Sequence, residues 1–153
     1  MAIRMTAKQQ AQTGSQKTIK EVDVMYKEKL DAYIDAHKED MLEDLKTLVR
    51  IDSQKGESQQ GKPFGEGPAK VLDTAEEMLK KYGFSTQNYD HYVVTADFSD
   101  QEKKLDILAH LDVVPVTKNW KETQPFEPVI KDGKIYGRGT ADDKGPAIAA
   151  LYA

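Results

Sequence analysis

No cysteine occurs anywhere in the chain, which removes disulfides and thiolate ligation of a metal and suits a reducing compartment or indifference to one. There is no basic excess either: 22 Lys and Arg stand against 26 Asp and Glu, a net charge of −4, so nothing points to a nucleic-acid polyanion as partner. No apolar run approaches the roughly 20 residues of a membrane span, and the N-terminus lacks the apolar core of a signal peptide. The cytoplasm is therefore the expected location, with neither membrane nor nucleic acid as partner, and nothing in the pattern speaks to oligomeric state. Hydrophobic residues make up 39% of 153 and charged ones 31%, enough for one domain with a thin core. With one Trp and three His, the candidates for chemistry are few.

Residues 1–21 are polar and Gln-rich, without apolar period, and read as a disordered extension. From 22 to 49 a helical period is clear, with Tyr26, Leu30, Tyr33, Ile34, Met41, Leu45, Leu48 and Val49 recurring at three and four. His37, set among charges, reads as a surface residue. Residues 52–61 are a loop by composition, in which Ser53 has no sequence support as a nucleophile. A second helix opens at Gly65-Glu-Gly-Pro68, buries Val71, Leu72, Ala75, Met78 and Leu79, and closes at Tyr82-Gly83. Two strands follow over 84–88 and 92–98, with His91 in the turn between them. Asp132-Gly133, flanked by strand-like residues, is a type I′ hairpin signal.

The chemistry-bearing stretches are two. Leu105 to Val114 is apolar on both faces through its middle, the pattern of a buried α/β strand, and it carries His110 and Asp112. Period-two alternation puts those two on one side, about 7 Å apart, at the carboxyl end where open α/β sheets gather ligands. A carboxylate near a metal-bound His is a common device for fixing the ring. Some thirty residues on comes Gly137-Arg-Gly-Thr-Ala-Asp-Asp-Lys-Gly145. It is not a dinucleotide fingerprint, because Asp142 stands where the third Gly would meet pyrophosphate, and Gly145 after Lys144 rules out a Walker-type loop. Two readings stand side by side for its carboxylates: they bind a divalent cation, or they open the helix that begins at Lys144. Taken with the His-x-Asp pair, the balance moves to the cation. Trp120 and Phe126, in the intervening loop, are read either as a substrate wall or as packing.

His110-Leu-Asp112-Val-Val-Pro115, then Trp120, Pro125-Phe126 and Ile135-Tyr-Gly-Arg-Gly-Thr-Ala-Asp-Asp-Lys-Gly-Pro146, closely resemble the co-catalytic zinc amidohydrolases that include acetylornithine deacetylase, carboxypeptidase G and the carnosinases. Within that family the chain looks most like the PepV-type dipeptidases, through the Gly65 to Pro68 segment as well. The resemblance implies an α/β fold, a three-layer αβα sandwich around a mixed, largely parallel sheet, of which residues 22–153 would be the N-terminal half. It implies two divalent ions, zinc by likeness, with His110 binding one, Asp112 orienting that His, Asp142 bridging both, and Asp143 following across a cis peptide bond. The implied substrate is a dipeptide or a small N-acyl amino acid.

The family pattern goes on to a Glu-Glu pair, a further acidic ligand and a late His, and none of these is present. The chain is therefore expected to be part of a longer enzyme, inactive alone. A deacylase of N-acyl amino acids is the alternative within the family, and a non-enzymatic truncated remnant the alternative outside it.

Overall fold

The computed structural model describes residues 2–6, 19–101 and 105–153. Along the chain run β1 (Ala2–Thr6), α1 (Ile19–Val49), α2 (Glu66–Lys81), β2 (Ser85–Tyr89), β3 (Val93–Asp97), β4 (Asp106–Ala109), β5 (Val129–Lys131), β6 (Lys134–Tyr136) and α3 (Lys144–Leu151). The two long helices lie where the apolar period puts them. Among the described residues of the α1 stripe, Leu45, Leu48 and Val49 at its C-terminal part are buried, whereas Tyr26, Leu30, Tyr33 and Ile34 are exposed. His37 stays near the surface, stacked on Tyr33 with Nδ1 2.8 Å from the Tyr33 carbonyl.

α2 buries the apolar face expected of it, together with Pro68 and Ala69. Its end is closed by backbone bonds from Gly83 N–H to the Lys80 carbonyl and from Phe84 N–H to the Leu79 carbonyl, which satisfy carbonyls the helix leaves open. Tyr82 and Tyr152 both donate to Asp44, at 2.6 and 2.8 Å, tying the ends of α2 and α3 to α1.

The main sheet has the order β2-β3-β1-β4. β2 and β3 form an antiparallel hairpin, β1 runs parallel to β3 from Ala2 opposite Val93 to Thr6 opposite Asp97, and β1 is antiparallel to β4. One of these three pairings is parallel, so within the described residues the sheet is mixed but not largely parallel. Tight connections such as the turn between β2 and β3 produce antiparallel neighbours, and parallel ones need crossovers. The expected extension over residues 1–21 contains a strand, β1, and the first turn of α1; residues 1 and 7–18, on which the rest of that expectation falls, lie outside the described residues.

The strand expected over 105–114 is shorter than its apolar run, ending at Ala109. Its ladder partner runs out there, because Ile3 already pairs with Ala109 near the start of β1. Val113 instead bridges Gln54. β5 and β6 make the small hairpin foreseen at Asp132-Gly133, with φ of 52° and 71° at those residues, as a type I′ turn requires.

The core gathers Leu48 and Val49 of α1, Val71, Leu72 and Leu79 of α2, Val94 and Ala96 of β3, Ala109, Leu111, and Ala147 and Ile148 of α3. Leu108, next to buried Ala109, is 75% exposed. The described residues thus form a helix layer and a sheet.

The β2–β3 turn holds the third histidine in a bond network of its own. His91 Nδ1 lies 2.7 Å from the Gly61 carbonyl and Nε2 2.8 Å from Asp73 Oδ1. Both partners are acceptors, so both bonds form only when the ring carries two protons. Burial works against the cation, but the bonds to Asp73 and Gly61 outweigh it, with Lys62 opposing slightly, and the pKa is raised above 6.5. A raised folded-state pKa stabilises the protein below the unfolded value and loses that stabilisation as pH climbs through the folded one. The urea midpoint should therefore fall as pH rises from about 6.5, and more steeply than in His91→Gln. Parallel pH profiles for the two proteins would rule this out.

Candidate metal centre

His110 and Asp112 sit just beyond the end of β4, and Asp142 and Asp143 lie in the loop that leads into α3. His110 Nδ1 is 3.1 Å from the Asp112 carbonyl and 3.6 Å from Asp112 Oδ1. Since the carbonyl can only accept, Nδ1 carries the proton and Nε2 is left facing outward. Nε2 meets Asp142 Oδ1 at 3.1 Å. In the neutral ring both of those atoms are acceptors, an arrangement that a proton or a metal cation between them resolves. The Asp142 side chain is 82% exposed and the His110 and Asp112 side chains 44%, so the pair opens to solvent.

Asp143 occupies the N-cap position of α3, but its carboxylate makes no capping bond to that helix. Its Oδ2 instead accepts the His110 backbone N–H at 3.2 Å. Neither carboxylate is thus engaged as a side-chain cap, and both reach back to His110. The peptide bond between Asp142 and Asp143 is cis, as the resemblance implies.

The segment following α1 braces the stretch around Asp112 from the other side. Ser53, fully buried, donates its hydroxyl to the Leu111 carbonyl at 2.7 Å. Val113 N–H donates to the Ser53 carbonyl at 3.2 Å, and Val116 N–H to Gln54 Oε1 at 2.8 Å. Gln54 is held in turn by its Nε2 donating to the Asp52 carboxylate. Ser53 is a brace with its proton committed, not a nucleophile.

Trp120 lies under the Arg138 guanidinium, whose carbon is 5.3 Å from the ring centroid, and Arg138 N–H donates to the Pro125 carbonyl at 2.7 Å. Trp120 thus packs against the Gly137–Gly139 turn. Lys144 is entirely buried. Burial pushes its pKa down to about 8, against the attraction of Asp52 and Asp112. Sequence reasoning gave Arg138, Gln54 and Lys144 no role; a charged residue opening the apolar run Lys144-Gly-Pro-Ala-Ile-Ala-Ala-Leu151 was the available signal for the last.

Among the described residues no group of three or more His, Cys, Asp or Glu side chains is arranged to hold a metal ion. The described chain brings together one imidazole and one carboxylate facing outward, with two further carboxylates behind them.

A histidine and paired carboxylates thus meet just beyond the carboxyl end of β4. Residues 107–153 match the family model "Peptidase family M20/M25/M40". A candidate dipeptidase of Staphylococcus epidermidis is 43% identical over 131 residues, which is 84% of this chain and 27% of the relative. Its counterpart in Staphylococcus aureus strain USA300 is 40% identical over 131 residues, with the same coverage of 84% and 27%. The fold is similar to that of human carnosine dipeptidase 1, with a TM-score of 0.58 and 26% identity over 80% of this chain and 29% of that one. The Saccharomyces cerevisiae di-peptidase Dug1p, at a TM-score of 0.55 and 20% identity over 79% of this chain and 29% of that one, shares the fold. The chain spans about a quarter of the length of the curated relatives it matches. Over residues 107–153 the chain is similar to the M20 peptidases, and over most of its length to part of the dipeptidases named above.

Among the described residues, no helix is long and apolar enough to cross a membrane.

Proposed function

We propose that this chain is the N-terminal part of the catalytic domain of a metal-dependent dipeptidase, with His110 and Asp142 holding divalent metal and Asp112 orienting His110. The observation that carries this is the contact of His110 Nε2 with Asp142 Oδ1 at 3.1 Å, with Nδ1 turned to Asp112. Imidazole nitrogen beside carboxylate oxygen is a donor set suited to zinc and similar divalent ions. Two such ions, when bound, lower the pKa of water toward about 7 and polarise the scissile carbonyl. Asp112 keeps the His110 ring in the tautomer whose Nε2 is available, and Asp143, through the His110 amide, holds the end of β4 to the loop. Asp142, its side chain open to solvent, would serve as the bridging ligand that the resemblance implies.

Further donors and the general base come from outside residues 1–153, so this chain alone hydrolyses nothing. In the intact protein the exposed face of the sheet, marked by Leu108, receives a second helix layer, completing a three-layer αβα sandwich. A cysteine-free chain suits the cytoplasm. The test is the reading frame extended to the length of the relatives, expressed and offered alanylalanine and N-acetylalanine with and without a chelator. Chelator-sensitive cleavage of the dipeptide is expected. Preference for the acetylated amino acid would move the reading to a deacylase, and cleavage indifferent to chelation would remove the metals from it.

A further inference from the structure

Lys144 is the first residue of α3 and is completely buried, an unusual place for an ammonium. Its Nζ donates to the Leu48 and Ile51 carbonyls, at 3.0 Å each. These belong to the last turn of α1 and the residues just past it, where a helix leaves carbonyls without partners and presents its negative pole. Lys144 therefore caps a helix more than ninety residues away. Its stem also packs into the loop it follows. A Cβ at Gly139, whose φ is +90°, would stand 3.0 Å from Lys144 Cδ, so the turn passes close against the lysine stem.

Directly before this anchored lysine come Asp142 and Asp143, which reach His110 through Nε2 at 3.1 Å and the backbone amide at 3.2 Å. α1, Lys144, the two carboxylates and His110 thus form one continuous mechanical link. We propose that Lys144 is the positioning residue of this site: by capping the C-terminus of α1 it fixes the two carboxylates against the end of β4. The inference rests on the metal reading for its consequence and on the hydrogen bonds for its geometry.

The geometry is read by amide hydrogen exchange and NMR on the purified chain. Lys144→Met keeps the stem and removes the donors. It should lower protection of the His110 amide, the donor to Asp143, about tenfold more than that of the Val71 and Leu72 amides. Leu79→Ala, a core truncation away from the loop, should lower all three in parallel. Lys144→Gln, which keeps an N–H donor, is scored in the same way, so that the question stays answerable if the Met variant does not fold. A His110 amide that tracks Val71 and Leu72 in the Lys144 variants would make Lys144 a core residue only and overturn the proposal. Cobalt(II) added to the protein extended to the length of the relatives should broaden the His110 ring signals. No broadening would overturn the metal reading itself, a failure distinct from an unchanged His110 amide.

Discussion

Asp142→Asn is expected to lower kcat/KM for a dipeptide at least about a hundredfold in the intact protein, since even residues behind a metal's direct ligands are worth about 10–100-fold. The substitution keeps the shape of the side chain and removes the charge that faces His110 Nε2. Helix stability should change little, because neither carboxylate of the pair caps α3 with its side chain. Asp112→Asn should have the smaller, about 10–100-fold effect of a residue acting through its neighbour. The order matters more than either value: if Asp142→Asn retained full turnover and metal content, the bridging role would be wrong. If Asp112→Asn were the more damaging, the two carboxylates would have been assigned the wrong way round.

Gly67→Ala is expected to be among the most destabilising small changes in the fold. A Cβ there would stand 2.0 Å from the Asp52 carbonyl oxygen, 3.1 Å from its carbon and 3.3 Å from Ser53 Cα. All three are backbone atoms, so no side chain can turn aside, and α2 must move away from the segment that braces Asp112. Ordinary overpacking costs about 1–3 kcal/mol, and this contact should exceed that range. Leu72→Ala, a fully buried truncation in the same helix, supplies the scale at about 2–5 kcal/mol. Urea unfolding of both variants makes the comparison. A Gly67→Ala protein within about 1 kcal/mol of wild type would mean that α2 and residue 52 do not approach this closely. Because Ser53 and Gln54 hold 111–116, the same variant should loosen the His110 amide before the core of α2 opens.

Much of this was legible in one dimension. Apolar residues at three and four fixed α1 and α2 to within a few residues, because a helix buries one stripe whatever it packs against. Asp132-Gly133 announced its turn because the positive φ values of a type I′ connection exclude most other pairs. His110 and Asp112 stood out as polar residues ending an apolar run, and Asp142 and Asp143 as paired carboxylates in a Gly-shaped loop. The location of β1 was not legible. Five residues of mixed character, Ala-Ile-Arg-Met-Thr, have too little pattern to be told from an extension, and it is two neighbouring strands that make them a third. The length of β4 was hidden for the same reason: a strand ends where its partner does, not where its own apolar run ends.

The sequence by itself determined the helices, the hairpins and the identity of the residues that meet at His110, since these follow from local periodicity and side-chain chemistry. Tertiary structure alone decided what each of those residues is free to do. It spends the Ser53 proton on Leu111, directs the Asp143 carboxylate away from the helix it precedes, and buries Lys144 under the end of α1. Each of these depends on a hydrogen-bond partner between 33 and 96 positions away in the chain, a distance over which no local pattern carries information.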